Sequence, residues 1–363
     1  MPTNDTHRYA LILAGGRGTR FWPRSRRANA KQVLRFFGER SLIQQTVDRL
    51  APVIPPERIW VLTNDHLRAE IQKQLPEVPK RQILAEPAAR NTAPAIGLAA
   101  QILQGIDPQA VMGVFPSDHI IGRPAAYLAL VKKAFRVAES GGIGLLGIQP
   151  RWAETGYGYV EFPRGVKAGA ASAVMRFREK PDLKTAKKYV AAGNYYWNAG
   201  MFFWKTSVVL DSLRRHLPKT ATLLASLPKF NSRDFPARLA ETFPHCENIS
   251  VDYAILEPAS KTAGAITGVT AGDIGWNDVG SWNAVYELLD RDESGNAARG
   301  ELVAHGASGN YVDAEGKLVA LVGVDDLVVV DTPDALLITR RECAQEVGDL
   351  VKLLEKQKRH HLL

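Results

Sequence analysis

Cysteine is nearly absent from this chain: Cys246 and Cys343 are its only two, far apart in 363 residues. That scarcity excludes a disulfide scaffold and a zinc knuckle and predicts a reducing compartment, with the cytoplasm as the expected location. Long apolar runs are also missing. None approaches the roughly 20 residues that cross a bilayer, so no membrane association is expected. The opening MPTNDTHRYA lacks the layout of a signal peptide. No Gly-Lys-Ser/Thr closes the glycine-rich loop, which excludes a P-loop, and Phe21 stands where a dinucleotide fingerprint needs its third glycine. No serine–histidine pairing or reactive cysteine points to a covalent intermediate. The net charge of +8 suits an anionic ligand. The basic residues form no long tract and are not interleaved with aromatics, so no nucleic acid partner is expected.

What the chain does have is concentrated in YALILAGGRGTRFWPRSRRANAK, residues 9–31. The apolar run from Tyr9 to Leu13 reads as a buried strand. Three glycines follow, Gly15, Gly16 and Gly18, which let the backbone turn tightly and bring its N–H groups close to a ligand. Arg17, Arg20, Arg24, Arg26, Arg27 and Lys31 surround that loop. Guanidinium groups bind phosphate through paired hydrogen bonds, and lysine acts as a mobile point charge. Together these features predict a strand, a phosphate cradle and a cationic sleeve.

Along the chain, helix and strand patterns alternate. Strands are expected at 59–62, 82–85, 111–115 and 143–148. Helices are expected at 41–50 with Ser41 as N-cap, at 65–75, from Asn91 or Thr92 onward, and at 124–139. Such alternation predicts a mostly parallel sheet covered on both faces, with ligands bound beyond the carboxyl ends of its strands. The glycine loop and Pro116-Ser117-Asp118-His119 both lie at such ends. From Arg151 the rhythm changes. A strand is expected at 174–177, helices at 182–192 and across most of 205–227, and a helix from Ser281 or Asn283 to Leu289. Residues 291–300 read as a linker. Beyond them lies a small β unit, which a short left-handed β-helix would satisfy, and then an amphipathic helix with Val347, Leu350, Val351 and Leu354 on one face. The expected division is residues 1–290 and 291–363.

Several motifs stand in one order: LAGGRGTRFWPRSR, Lys31-Gln32, EPAARNTAPAI, PSDH, ETGYGYV, FREKP, WNAGMFFW, SVDYAILE and GWNDVGSW. Together they resemble the bacterial mannose-1-phosphate guanylyltransferases, or GDP-mannose pyrophosphorylases. The resemblance covers about residues 8–285 closely and the rest more loosely. It implies an α/β, Rossmann-like nucleotidyltransferase domain joined to the small β unit. It also implies a reaction in which GTP and mannose 1-phosphate give GDP-mannose and pyrophosphate. Such transfer needs positioning and charge neutralisation rather than a protein nucleophile.

The resemblance further implies roles for single residues. Arg20, Lys31, Asp118, Lys180 and Asp278 carry the catalysis, with Arg17 beside Arg20. Asp118 and Asp278 hold Mg²⁺, which favours one or two carboxylates with phosphate oxygens and water. Leu13, Ala14, Gly15, Gly16, Gly18, Thr19, Glu86, Asn91, Thr92 and Ser117 meet the nucleotide, although Asn91 and Thr92 serve equally well as helix caps. Gly156, Tyr157, Glu179, Lys180 and Asn198 meet the sugar phosphate. Ala30 precedes Lys31 where relatives usually carry proline. Trp22, Trp197, Tyr195 and Tyr196 are expected in the core, and His119 as a satisfied loop histidine. Longer relatives add a metal-bound isomerase domain, for which this chain retains no histidine–glutamate cluster. The β unit and final helix are therefore expected to form a subunit contact in a homodimer. Two other readings stay open: a pyrophosphorylase for another sugar or nucleotide, and a sugar-nucleotide-binding regulatory subunit.

Overall fold

A computed structural model describes residues 5–363; residues 1–4, part of the opening stretch read above for a signal peptide, lie outside the described residues. The run RYALIL forms β1 (Arg8–Leu13). Beside it lie β2 (Ile59–Thr63), β3 (Ile83–Ala85) and β4 (Val111–Pro116), all parallel, in the order β3-β2-β1-β4. Every residue of β2 is buried, as expected of a strand covered on both faces.

Helices α1 (Leu42–Leu50), α2 (Asp65–Gln74), α3 (Thr92–Ile106) and α4 (Pro124–Glu139) link these strands and the next. Ser41 caps α1 through a reciprocal capping box with Gln44. The helices divide between two cores. Ile43, Val47, Leu67, Ile71, Val131 and Phe135 pack on one face of the sheet. Ile96, Leu103, Leu213, Leu224 and Phe243 pack on the other.

Next come β5 (Ile120–Ile121), β6 (Ile143–Ile148), β7 (Tyr159–Glu161), β8 (Ala171–Ala173), β9 (Arg176–Arg178), β10 (Tyr195–Lys205), β11 (Ile266–Ala271) and β12 (Trp276–Asn277). The long β10 runs antiparallel between β4 and β6, and β11 is parallel to β6. All the parallel strands therefore end at one edge. The strand expected at 174–177 is divided. β8 pairs with β11 and β9 with β7, and between them Val174 donates to the Ile266 carbonyl and Met175 to that of Glu161. The chain changes partner at that point, which alternation of apolar residues cannot reveal.

The C-terminal unit holds β13 (Ala297–His305), β14 (Tyr311–Val322) and β15 (Leu327–Thr332), parallel in sequence order, with β16 (Ala335–Arg340) antiparallel at the edge. β13 begins inside the expected linker. Its corners are held by buried asparagines: Asn310 donates to Asn296 Oδ1 and accepts from the Leu327 amide. The terminal helix, Val347–Lys356, buries Val347, Val351 and Leu354 against Phe21, Trp22, Phe36 and Trp282. Its apolar face is thus used within the chain. Val303, Leu318, Val322, Leu336 and Ile338 of the β unit stand exposed. Among the described residues, no helix is long and apolar enough to cross a membrane.

Candidate active site

The glycine loop sits at the carboxyl end of β1 with its carbonyls tied down. Gln32 donates to the carbonyls of Ala14 and Gly16, and Thr63 donates to that of Ala14. The amides of Gly15, Gly16, Arg17 and Gly18 make no backbone hydrogen bond among the described residues. Donors left free beside fixed carbonyls are what an anion seat requires. Gly18 is needed sterically: its φ is +60°, and a Cβ there would lie 2.5 Å from the Lys31 Cβ. The neighbouring Ser117, largely buried, donates its amide to the Leu13 carbonyl, so β1 and β4 present their ends together.

Asp118 and Asp278 are far apart in sequence but adjacent in space. The pairs Trp276↔Ile121 and Asn277↔Ile120 form a small antiparallel ladder that carries Asp278 back to the residues after β4. Lys31 bridges them: its Nζ lies 2.8 Å from Asp118 Oδ2 and 2.6 Å from the Asp278 carbonyl. Burial pushes the Asp118 carboxyl up, but Lys31, His119 and hydrogen bonds to the carboxylate together outweigh it, and the net shift is down. The Tyr157 hydroxyl donates to Asp278 Oδ1 at 2.6 Å. His119 accepts at Nδ1 from the Trp276 indole, and burial lowers it to about 4, so it is a neutral structural partner as expected. No cluster of three or more His, Cys, Asp or Glu suited to a metal occurs among the described residues. Asp278 lines a cavity and Asp118 lies beside it across Lys31; this pair of carboxylates suits Mg²⁺, which takes its other ligands from phosphate and water.

Three places flank this centre. A cavity of about 610 Å³ contains Arg20, Gly156, Tyr157 and Asp278, together with Arg151, Trp152, Glu154 and Gln345. A second, of about 400 Å³, is lined by Gly15, Arg17, Asn64, His66 and Glu86. There Glu86 Oε1 is buried without a partner, and burial raises its carboxyl to about 8. Asn91 and Thr92 do not line that cavity. Asn91 Oδ1 accepts from the Thr92 amide, and the Thr92 hydroxyl accepts from the Val251 amide. Both therefore act as cap and cross-link, the alternative noted from sequence.

The third place is built on β10 and the end of β9. Glu179 has a side chain only 9% exposed with Oε2 unpartnered, and burial, then neighbouring Asp252, raises it to about 7. Asn198 donates to Asp252 Oδ1 and accepts from the Gly200 amide. Burial lifts Asp252 to about 6. Lys180 is half exposed, 3.5 Å from Glu179, and holds a φ of +43°. A non-glycine residue in that region is strained, as functional positions often are.

The cationic sleeve is reassigned in part. Arg24 makes a two-pronged pair with fully buried Asp313, and Arg26 pairs with Asp334. Arg17 reaches Glu355 and Arg20 reaches Gln345. These arms clasp the C-terminal unit, a destination that spacing within residues 9–31 could not disclose. Trp22 and Trp197 are buried, and Tyr195 stacks on Tyr189. Asp252, Gln32, Asn64, His66 and Gln345 were not singled out from sequence. Gln32 and Asp252 lay inside motifs noted there, and Asn64 follows β2 at the ligand-binding edge.

The sequence model of the nucleotidyl transferase family matches residues 9–295. The chain belongs to that family. Residues 300–354 match the mannose phosphate isomerase/GMP-like β-helix domain, in agreement with parallel β13, β14 and β15. This nucleotidyltransferase is similar to the mannose-1-phosphate guanylyltransferase of Klebsiella pneumoniae, with 39% identity over 96% of this chain and 74% of that one. It is 42% identical to the xanthan biosynthesis protein XanB of Xanthomonas campestris, over 95% of this chain and 73% of the relative. Among solved structures, the mannose-1-phosphate geranyltransferase of Thermus thermophilus superposes with a TM-score of 0.84 at 32% identity, covering 96% of this chain and 99% of that one.

Proposed function

We propose that this nucleotidyltransferase transfers GMP from GTP to α-D-mannose 1-phosphate, giving GDP-mannose and pyrophosphate. The observation that carries the reading is the order of the site's parts along one sheet edge, where β3, β2, β1, β4 and β10 lie side by side. A cradle with free amides adjoins a cavity with an unpartnered carboxylate, the Asp118–Asp278 pair lies next, and the Glu179–Asn198–Asp252 group follows. Guanine presents N1–H and N2–H donors, which suit the free oxygen of Glu86. Sugar hydroxyls suit Glu179 and Asn198, and Lys180 suits the phosphate of the sugar.

In this reading the sugar phosphate oxygen attacks the α-phosphorus in line and pyrophosphate leaves, with no covalent enzyme intermediate. The amides of Gly15, Gly16 and Gly18 seat the phosphates, with Leu13, Ala14, Thr19 and Ser117 framing them. Arg20 and Lys31 stabilise the charge that moves toward the leaving group. Gly156 and Tyr157 border the sugar side, and Tyr157 keeps the Asp278 carboxylate oriented. Asp118 and Asp278 would hold Mg²⁺, which when bound neutralises the repulsion between the two anionic reactants. We further propose a division near residue 290, a cytoplasmic location, and a homodimer formed through the exposed apolar face of the β unit.

The test is pyrophosphate release by the purified chain with Mg²⁺, mannose 1-phosphate and each of four nucleoside triphosphates in turn. Release with GTP supports the proposal. Release only with another triphosphate makes it a different pyrophosphorylase, and binding without release makes it a regulatory subunit.

A further inference from the structure

Five cations between residues 17 and 31 are held by side chains, and four of the partners are carboxylates: Glu355 for Arg17, Asp313 for Arg24, Asp334 for Arg26 and Asp118 for Lys31. Arg20 is the exception. Its Nη1 donates to Gln345 Oε1 at 2.6 Å, and no carboxylate lies within ion-pair distance of it among the described residues.

The exception falls at the place where charge matters most. Arg20 and Gln345 both line the 610 Å³ cavity with Asp278. A Cβ placed on Gly280 would lie 3.2 Å from Asp278 Oδ2 and 3.7 Å from Arg20 Nη1, so the guanidinium stands close to the metal-side carboxylate. It does not pair with that carboxylate, whose Oδ1 is taken by the Tyr157 hydroxyl. The guanidinium is held in place and its full charge stays available.

Gln345 comes from the C-terminal unit, and its neighbours in sequence are packed. It lies in the turn Arg341–Glu346, where Ala344 is buried and Arg341 covers the Tyr286 ring 4.0 Å from its centroid. The helix that follows packs Gly348 against Arg20 and Thr19. The backbone that carries Gln345 is therefore packed on both sides, although the Gln345 and Arg20 side chains themselves are exposed, and the acceptor presented is neutral. An amide oxygen can orient a guanidinium as a carboxylate would, but it cancels none of its charge. A carboxylate there would compete with phosphate for the same donors.

We infer that Gln345 is a positioning residue for phosphate binding: a neutral acceptor that aims Arg20 into the cavity while leaving its charge for the substrate. The C-terminal unit thereby contributes to the site although no atom of Gln345 needs to touch the reacting phosphorus. The inference rests on the phosphate role proposed for Arg20.

The test uses the full chain with Gln345→Glu, Gln345→Ala and Arg20→Ala. Affinity for GTP and for inorganic pyrophosphate is measured by calorimetry, with kinetics and melting temperature alongside. Gln345→Glu is nearly isosteric and adds a charge, so it should weaken both ligands by about tenfold without lowering the melting temperature. Gln345→Ala should weaken them by about threefold, and the Gln345→Glu defect should shrink as salt rises. A merely structural role would give the reverse order, with Ala worse than Glu and a lowered melting temperature, and would overturn the inference. Unchanged affinities in both Gln345 variants, beside a loss in Arg20→Ala, would also overturn it and leave the role of Arg20 standing. Unchanged affinity in Arg20→Ala would remove that role and the inference together.

Discussion

The ammonium of Lys31 lies 2.8 Å from Asp118 Oδ2 and 2.6 Å from the Asp278 carbonyl, filling the space between the two residues proposed to hold the metal. Lys31 is thus a counter-ion in addition to its proposed role as a phosphate ligand. Replacing it with Met should cost about 1–2 kcal/mol, because Asp118 is only partly screened by solvent. Added Mg²⁺ should then raise the melting temperature of Lys31→Met by more than that of the parent, since a cation is missing there. Equal shifts in the two proteins would show that the metal is not held at Asp118.

Asp118→Asn and Asp278→Asn should each lower turnover by orders of magnitude with the fold retained. Circular dichroism and rates of pyrophosphate release check both halves of this statement. Full activity in both variants would remove the metal assignment.

Glu86 gives a pH dependence. Its carboxyl is raised from 4.5 to about 8 in the folded chain. Between those values the unfolded chain loses a proton that the folded chain keeps, so this group's stabilising contribution is lost as pH rises through the window. Glu86→Gln should flatten that fall in denaturant titrations run from pH 5 to 9. Guanine N–H donors favour the ionised carboxylate, so GTP should bind more tightly as pH rises toward about 8 and should release a proton on binding. Calorimetry in buffers of different ionisation enthalpy would detect the proton; none released would argue against a Glu86–guanine contact.

Lys180→Ala should raise the KM for mannose 1-phosphate more than that for GTP. Equal effects on the two would count against its assignment to the sugar phosphate.

Gly158→Ala should damage the same side by another route. A Cβ at Gly158 would lie 2.5 Å from Glu179 Oε2 and 3.3 Å from the Asn198 Cβ. The sugar-phosphate KM should rise by about tenfold or more while the KM for GTP stays near the parent value.

Strands β1 to β4 and β6 were legible because each is a short apolar run ending in a turn, and their shared edge located the glycine loop and Asp118; β10 and β11, in the same sheet, were not read as strands. The sharp turn at Gly18 and the cap at Ser41 were legible for the same local reason. Pairings between distant segments were not. Nothing near Asp278 reveals the ladder from Trp276 to Ile121, and nothing near Arg24 reveals Asp313. Asp252 went unassigned because an acid in an amphipathic turn looks solvated until its partner Asn198 is placed beside it.

The Arg24–Asp313 pair, with its acid wholly enclosed, makes the two halves of this chain poor candidates for exchange between relatives. A chimera that took its β unit from another protein would have to inherit matching bases in the first thirty residues, or it would strand a charge in the seam. An exchange that spares this chain's stability would therefore have to move both ends of the polypeptide together.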